Sequence, residues 1–225
     1  MANAPSFEET QGLRDAMVER QIRGRGISDE RLLNSMRQVP RHMFVDEDLR
    51  HRAYDDSALP IAAGQTISQP YIVARMIAAA EIGPQDRVLE VGLGSGYAAA
   101  VMSRMSAQVF AIDRIPELVE RAREILAELG YDNIKVCTGD GTSGWPEMAP
   151  FDVIVASAGA PQVPPALLSE LAPGGRLVIP VGDEGLQRLL LVRRVGPDAF
   201  EESELEPVRF VPLIGEHGWS ADPGA

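Results

Sequence analysis

Three glycines at alternate positions, Gly92, Gly94 and Gly96, follow the run Val88-Leu89-Glu90-Val91 and lead through Ser95 into an alanine-rich stretch over residues 97–105. The run reads as a buried strand, the glycines as a tight turn and the alanines as a helix. Such a turn lets a ligand approach the bare backbone at Gly92 and Gly94, and unpaired N–H groups at the helix start favour an anionic group. Glycine turns also simply reverse chains, so the spacing alone leaves the two roles evenly balanced. Asp113 tips the balance: it ends a second strand-like run, residues 108–113, and stands 21 positions after Gly92, with Arg114 beside it. An α/β nucleotide site needs a carboxylate there to accept ribose hydroxyls. The spacing Gly-x-Gly-x-Gly differs from the dinucleotide fingerprint Gly-x-Gly-x-x-Gly, which favours a mononucleoside-type ligand over NAD. A methionine carboxylate at the helix start and an adenosine ribose on Asp113 fit S-adenosylmethionine.

A second acid, Asp140, sits between Gly139 and Gly141 after a strand-like run over 134–137. Two readings of it stand level: a turn residue, or an adenine contact at the ligand-binding edge of an open α/β sheet. The segment 64–71, Gly-Gln-Thr-Ile-Ser-Gln-Pro-Tyr, precedes an apolar helix over 72–80. Pro70 suits the first helical turn, so spacing alone favours a capping role for Ser68 or Gln69.

The elements that must carry these residues alternate. Beyond Asp113, residues 116–129 have Pro116 at the start, Glu117 in the first turn, Leu118, Ala122, Ile125 and Leu129 on one face, and Gly130 at the end, the marks of a helix. Further strands are expected over 151–156, 176–181 and 186–195, with a helix over 164–171 and a turn at Pro173-Gly174-Gly175. A last strand over 204–213 would be limited by Pro207 and Pro212. The alternation predicts a doubly wound, mostly parallel α/β sheet of Rossmann-like type. Ahead of it, residues 8–25 place Leu13, Met17 and Ile22 on one face of an amphipathic helix, with Arg20, Arg23 and Arg25 solvated. Ser28 is expected to cap a second helix through Val39, ended by Pro40. Residues 41–60 carry too little periodicity to assign.

With 225 residues, 45% of them hydrophobic, the chain reads as one domain, residues 1–82 adding helices and a site segment to a core over 83–225. No run reaches the length of a membrane span, and Pro5, Glu8 and Glu9 occupy the place of a signal peptide's apolar core, so a cytoplasmic location is expected. The single cysteine, Cys137, excludes an internal disulfide and reads as a buried apolar residue. A net charge of −12 argues against nucleic acid as a partner. His42, His51 and His217 are scattered and form no metal-ligand spacing.

These segments together resemble the protein-L-isoaspartate O-methyltransferase family, repair enzymes that use S-adenosylmethionine. The resemblance runs from Met17 to Trp219 and rests chiefly on the segment 64–71. It is supported by 88–97, by Gly139-Asp140-Gly141, by 174–182 (Gly-Gly-Arg-Leu-Val-Ile-Pro-Val-Gly) and by 208–213 (Val-Arg-Phe-Val-Pro-Leu). It implies S-adenosyl-L-methionine as cofactor, leaving as S-adenosyl-L-homocysteine, with Thr66, Ile67, Glu90, Gly92, Gly94, Ser95, Asp113, Arg114, Asp140 and Gly141 around it and Asp140 and Gly141 near the adenine. It also implies isoaspartyl proteins and peptides as partners, a monomer, no membrane, and Ser68 at the methyl-transfer site, reversing the capping preference. Leu93, Ala62 and the stretch 156–159 depart from the family's usual residues, and none of these removes a group expected to do chemistry.

The chemistry is consistent with the sparse histidines. A methyl on a sulfonium is already activated, and a carboxylate of ordinary pKa near ~3.9 is ionised at neutral pH, so no general base is needed. Alternatives are a carboxyl methyltransferase for another peptide, a non-catalytic binding module without need of the Thr66-Ile67-Ser68 segment, and a dehydrogenase, which the glycine spacing disfavours.

Overall fold

In the computed structural model, which describes residues 8–220, the N-terminal third is a helical layer carrying one small hairpin. Residues 1–7, most of the stretch read for a signal peptide, and 221–225 lie outside the described residues. Helix α1 (Gln11–Met17) runs on through a π turn (Val18–Ile22) and a 3-10 turn to Gly26. Met17 and Ile22 are buried as expected, but Leu13 is 53% exposed and Arg14 takes the inner position. The burial of Arg14 is tolerated because its donors are used: Nε reaches the Arg37 carbonyl at 2.8 Å and Nη2 the Gln11 side chain at 2.7 Å.

Helix α2 (Glu30–Gln38) buries Leu32, Leu33 and Met36. Its cap is Asp29, not the expected Ser28: the Asp29 carboxylate accepts the Arg31 N–H at 2.9 Å. The unassigned region 41–60 consists of 3-10 turns that bury Arg41, His42 and Phe44. It leads to an antiparallel pair, β1 (Leu59–Pro60) and β2 (Thr66–Ile67), and then to α3 (Pro70–Ala80).

The core alternates as the pattern demands. β3 (Arg87–Val91), α4 (Tyr97–Ser103), β4 (Gln108–Asp113), α5 (Pro116–Glu128), β5 (Ile134–Thr138), β6 (Phe151–Ala156), α6 (Pro165–Ser169), β7 (Leu171–Asp183), β8 (Leu186–Arg194) and β9 (Phe200–Val208) follow in turn. The sheet order is β5-β4-β3-β6-β7-β8-β9, parallel through β7 and antiparallel for the last two pairings. Strand residues alternate between two apolar layers. Val88, Val109, Val153 and Val155 pack with α1 to α5 in one cluster, while Leu89, Phe110, Ile154 and Leu177 face α6 and the segment around Trp145 in the other. Burial on both sides is what a parallel sheet requires.

Two of the boundaries that differ from the sequence expectation bear on the sheet. The expected turn at 173–175 lies inside β7, where the pairing jumps from Phe151↔Leu171 to Val153↔Arg176, so the glycines make a bulge rather than an end. The last strand is shifted to Phe200–Val208. It is an edge strand, so Pro207 sits opposite Arg188 without cost to an inner ladder, and exposed Glu201, Glu202 and Glu204 discourage a further strand from adding there.

The chain leaves β3 toward β4 and β5 and returns on the other side at β6, so connections diverge above the C-terminal ends of β3 and β6. Open α/β sheets bind ligands in such a crevice. The Asp29 cap is directly testable: Asp29→Ala is expected to lower unfolding free energy by about 0.5–2 kcal/mol in urea titrations, whereas Ser28→Ala leaves it unchanged.

Candidate active site

A cavity opens at that divergence, and every site residue named from the sequence lines it except Asp140. The floor is the glycine loop. Gly92, Gly94 and Gly96 all have positive φ (86°, 52° and 86°), a conformation that L side chains rarely adopt. Their neighbours differ. Gly92 and Gly94 line the cavity, whereas a Cβ on Gly96 would stand 3.2 Å from Ala122 on α5, so the third glycine serves helix packing. The loop is tied across to β4: the Gly92 N–H donates to the Ile112 carbonyl (2.9 Å), and the Gly94 N–H to Asp113 Oδ2 (2.8 Å). Asp113 Oδ1 accepts the Ile115 N–H at 3.0 Å. Each Asp113 oxygen thus takes one backbone donor and retains acceptor capacity for a ligand hydroxyl. Arg114 follows it at the exposed rim, and Ser95 faces the cavity within the loop.

Glu90 is 1% exposed in the cavity wall. Its Oε1 accepts the Ser157 hydroxyl at 3.2 Å, while Oε2 is buried with no partner among the described residues. Burial raises its pKa to about 8, the Ser157 bond opposes the rise, and the Asp113 charge adds to it. A cationic ligand group beside Oε2 would satisfy the orphan oxygen and restore the ionised form.

Asp140 has a different task. Its Oδ1 accepts the Thr142 N–H (2.8 Å) and hydroxyl (2.7 Å), and Oδ2 accepts the Glu216 N–H (2.8 Å). Burial pushes its pKa up, but these bonds to Glu216 and Thr142 outweigh it and hold the group below the ordinary carboxylate range. Asp140 is thus bonded to the protein and does not line the cavity, whereas the adjoining Gly141 does. A Cβ on Gly141 would come within 2.6 Å of Val91 Cγ1. The Asp140 bonds fasten the C-terminal segment, whose residues Val211, Pro212, Leu213 and Ile214 cover the cavity. Trp219 adds a bond from Nε1 to the Gly159 carbonyl at 3.1 Å.

Gln65, Thr66, Ile67 and Ser68 also line the cavity. The N-cap of α3 is Gln69, and no side chain caps the helix, which excludes the capping role for Ser68. The sequence reading did not single out Val73, Met76 and Ile77 of α3 as site residues, yet they supply apolar wall. Their helical spacing marked them as apolar, but nothing local distinguishes a residue that faces a cavity from one that faces the core.

A family model described as protein-L-isoaspartate(D-aspartate) O-methyltransferase matches residues 13–218. The chain belongs to this family. It is 55% identical over 96% of its length, and 97% of the relative's, to protein-L-isoaspartate O-methyltransferase 2 of Pelobacter propionicus. It is 56% identical to the Pelotomaculum thermopropionicum protein-L-isoaspartate O-methyltransferase, covering 92% of this chain and 91% of that one. Among solved structures, a Plasmodium falciparum protein of putative isoaspartate methyltransferase function, in complex with S-adenosyl-L-homocysteine, superposes with a TM-score of 0.77. The two are 28% identical over 89% of this chain and 98% of that one. A protein-L-isoaspartate O-methyltransferase structure gives a TM-score of 0.82 at 27% identity, covering 91% of this chain and 67% of that one. Of the residues that depart from the family's usual ones, Leu93 is buried at 3% exposure and Ser157 is the partner of Glu90.

Glu90 yields a pH prediction. Between its ordinary value of 4.5 and about 8 the folded protein holds a proton that the unfolded chain releases, so this group's contribution to stability declines as pH rises through that window and levels off above it. Glu90→Gln has no proton to lose. The melting temperature of the variant minus that of the unsubstituted protein is expected to grow from about pH 5 to about pH 8.5. A difference that does not change with pH would contradict the raised pKa.

Proposed function

We propose that the protein esterifies the free α-carboxylate of L-isoaspartyl residues in damaged proteins and peptides, using S-adenosyl-L-methionine and releasing S-adenosyl-L-homocysteine. The observation that carries this reading is that Ser68, free of any capping duty, faces the same cavity as the glycine loop and Asp113. A module that only bound the cofactor would have no use for the Ser68 hydroxyl in that cavity.

The residues present fit the cofactor. Glu90, with its unpartnered buried oxygen, matches the methionine ammonium; Gly92, Gly94 and Ser95 offer close backbone approach; Asp113 has acceptor capacity for ribose hydroxyls; Arg114 stands at the rim; and Gly141, packed against Val91, lines the cavity for the adenine. The bound cofactor supplies a methyl group already activated by its sulfonium. The chain's own contribution is placement. Ser68 orients the acceptor carboxylate by a hydrogen bond, Thr66 and Ile67 flank the cofactor, and the apolar lining from Ile67, Val73, Met76 and Val211 to Ile214 excludes water. Alignment of this kind can supply roughly 7–11 kcal/mol.

An isoaspartyl linkage adds a methylene to the main chain and puts its α-carboxylate on a branch, so a cleft shaped to that backbone misplaces an ordinary aspartate. Once esterified, the carboxyl carries a better leaving group. The next backbone nitrogen attacks it, methanol departs with the amide proton, and the succinimide formed reopens in part to normal aspartate. The same reading treats residues 1–82 and 83–225 as one domain, supported by the single apolar cluster that joins α1 and α2 to the sheet. It carries a monomer in the cytoplasm that does not act on nucleic acid, the last supported by the net charge of −12.

Two peptides identical except for an aspartyl or isoaspartyl linkage, incubated with labelled S-adenosylmethionine, test the substrate. Base-labile label is expected on the isoaspartyl peptide alone. Equal labelling of both, or labelling of another carboxylate only, would point to the broader class of carboxyl methyltransferases. Ser68→Ala is expected to lower kcat/KM about tenfold or more, from loss of a hydrogen bond to a charged group worth roughly 1.5–3 kcal/mol, with little change in melting temperature. Near-normal turnover would remove Ser68 from the reaction.

A further inference from the structure

Residues 68 and 69 belong to neither β2 nor α3, and the following Pro70 has no N–H to anchor them. The Ser68 hydroxyl therefore depends on bonds from elsewhere for a defined position. Arg41 supplies one. Its side chain is completely buried, its Nη2 donates to the Ser68 carbonyl at 2.7 Å, and its Nε donates to the Ala53 carbonyl at 2.8 Å. Its guanidinium carbon lies 4.7 Å from the ring centre of Tyr97, the first residue of α4 and part of the cavity wall. On the other side, the Gln69 amide donates to Asp56 Oδ1 at 2.7 Å, and Asp56 is itself ion-paired with Arg25.

The cost of Arg41 makes this arrangement informative. No carboxylate among the described residues pairs with it, and its Nη1 is buried without a partner. Burial lowers its pKa to about 10, a fall that the nearby Tyr97 and Tyr54 oppose, so it stays cationic at neutral pH. A buried unpaired cation is expensive, and a neutral residue would fill the same space more cheaply. What a neutral residue would lack is a planar fork able to join two carbonyls and lie on a ring at once.

We infer that Arg41 is a positioning residue for methyl transfer, holding the Ser68 main chain against the cavity wall while Asp56 holds the neighbouring Gln69, so that the Ser68 hydroxyl meets the acceptor carboxylate in one orientation. This rests on the reading that Ser68 orients the acceptor. It makes the helical N-terminal layer part of the active site's support, although Arg41 does not itself reach the cavity.

A double-mutant cycle tests it. Arg41→Lys keeps the charge but not the fork. Since a displacement of about 1 Å can cost on the order of a hundredfold, a smaller loosening is expected to lower kcat/KM for the isoaspartyl peptide about tenfold. The dissociation constant for S-adenosylhomocysteine should change less than about twofold. In a Ser68→Ala background the same substitution should cost less than about twofold, because there is no hydroxyl left to place. Additive losses would mean that Arg41 acts on the fold at large and would overturn the inference. Should Arg41→Lys fail to fold, Asp56→Ala, at a partly exposed site, carries the same cycle with the same expected non-additivity, and additive losses there overturn it equally. A strong Ser68→Ala effect with a neutral Arg41→Lys overturns this inference alone. An unchanged rate in Ser68→Ala overturns it together with the role given to Ser68.

Discussion

Gly94 donates its backbone N–H to Asp113 Oδ2 at 2.8 Å, and the geometry of the cavity follows from that bond. It draws the loop after β3 sideways over the end of β4, so that the bare backbone of Gly92 and Gly94 and the carboxylate of Asp113 form one continuous floor. The bond is possible only because the loop's glycines accept positive φ, and only because β3 and β4 are parallel neighbours in register, with Val91 beside Ile112. A carboxylate that might have been a solvated strand end instead organises the loop and faces the cavity together with it.

Two buried ionisable groups flank this floor, and they are handled differently. Glu90 has one oxygen without a partner and a pKa raised to about 8, so it is comfortable neutral in the free protein and ready to ionise beside a cation. Arg41 cannot take the neutral route at physiological pH. Its stabilisation comes from two carbonyls and an aromatic face, and two of these contacts, the Ser68 carbonyl and the Tyr97 ring, belong to residues that line the cavity. The unsatisfied group in the wall suits a ligand, while the cation behind the wall suits a scaffold.

The outer elements close the site by tethering rather than by covering it with regular structure. Asp140 binds the Glu216 backbone and Thr142, Trp219 binds the Gly159 carbonyl, and residues 211–214 are thereby held over the C-terminal ends of the strands. The N-terminal layer supports the cavity wall through α3, whose buried face joins the cluster of α1, α2 and the sheet. Apolar walls around a few placed polar groups suit a reaction that needs alignment and dryness more than acid–base chemistry.

The order of strands and helices, the glycine loop, the acid at the end of β4 and the segment around Ser68 are legible along the chain, because each is local: a period of burial, a turn that needs glycine, or a short motif. Local signals also misled where a tertiary constraint prevailed. Leu13 lost its inward position to Arg14 because that guanidinium found a carbonyl on α2 and the Gln11 side chain on its own helix, and the bulge at 173–175 passed for a turn because glycine serves both. Packing between distant segments settles that Ser68 does not cap α3, that Asp140 fastens the C-terminal segment, and that Val73, Met76 and Ile77 line the cavity. It alone brought Arg41 to Ser68, 27 positions away in the chain, because a hydrogen bond between a side chain and a distant carbonyl leaves no periodic trace in sequence.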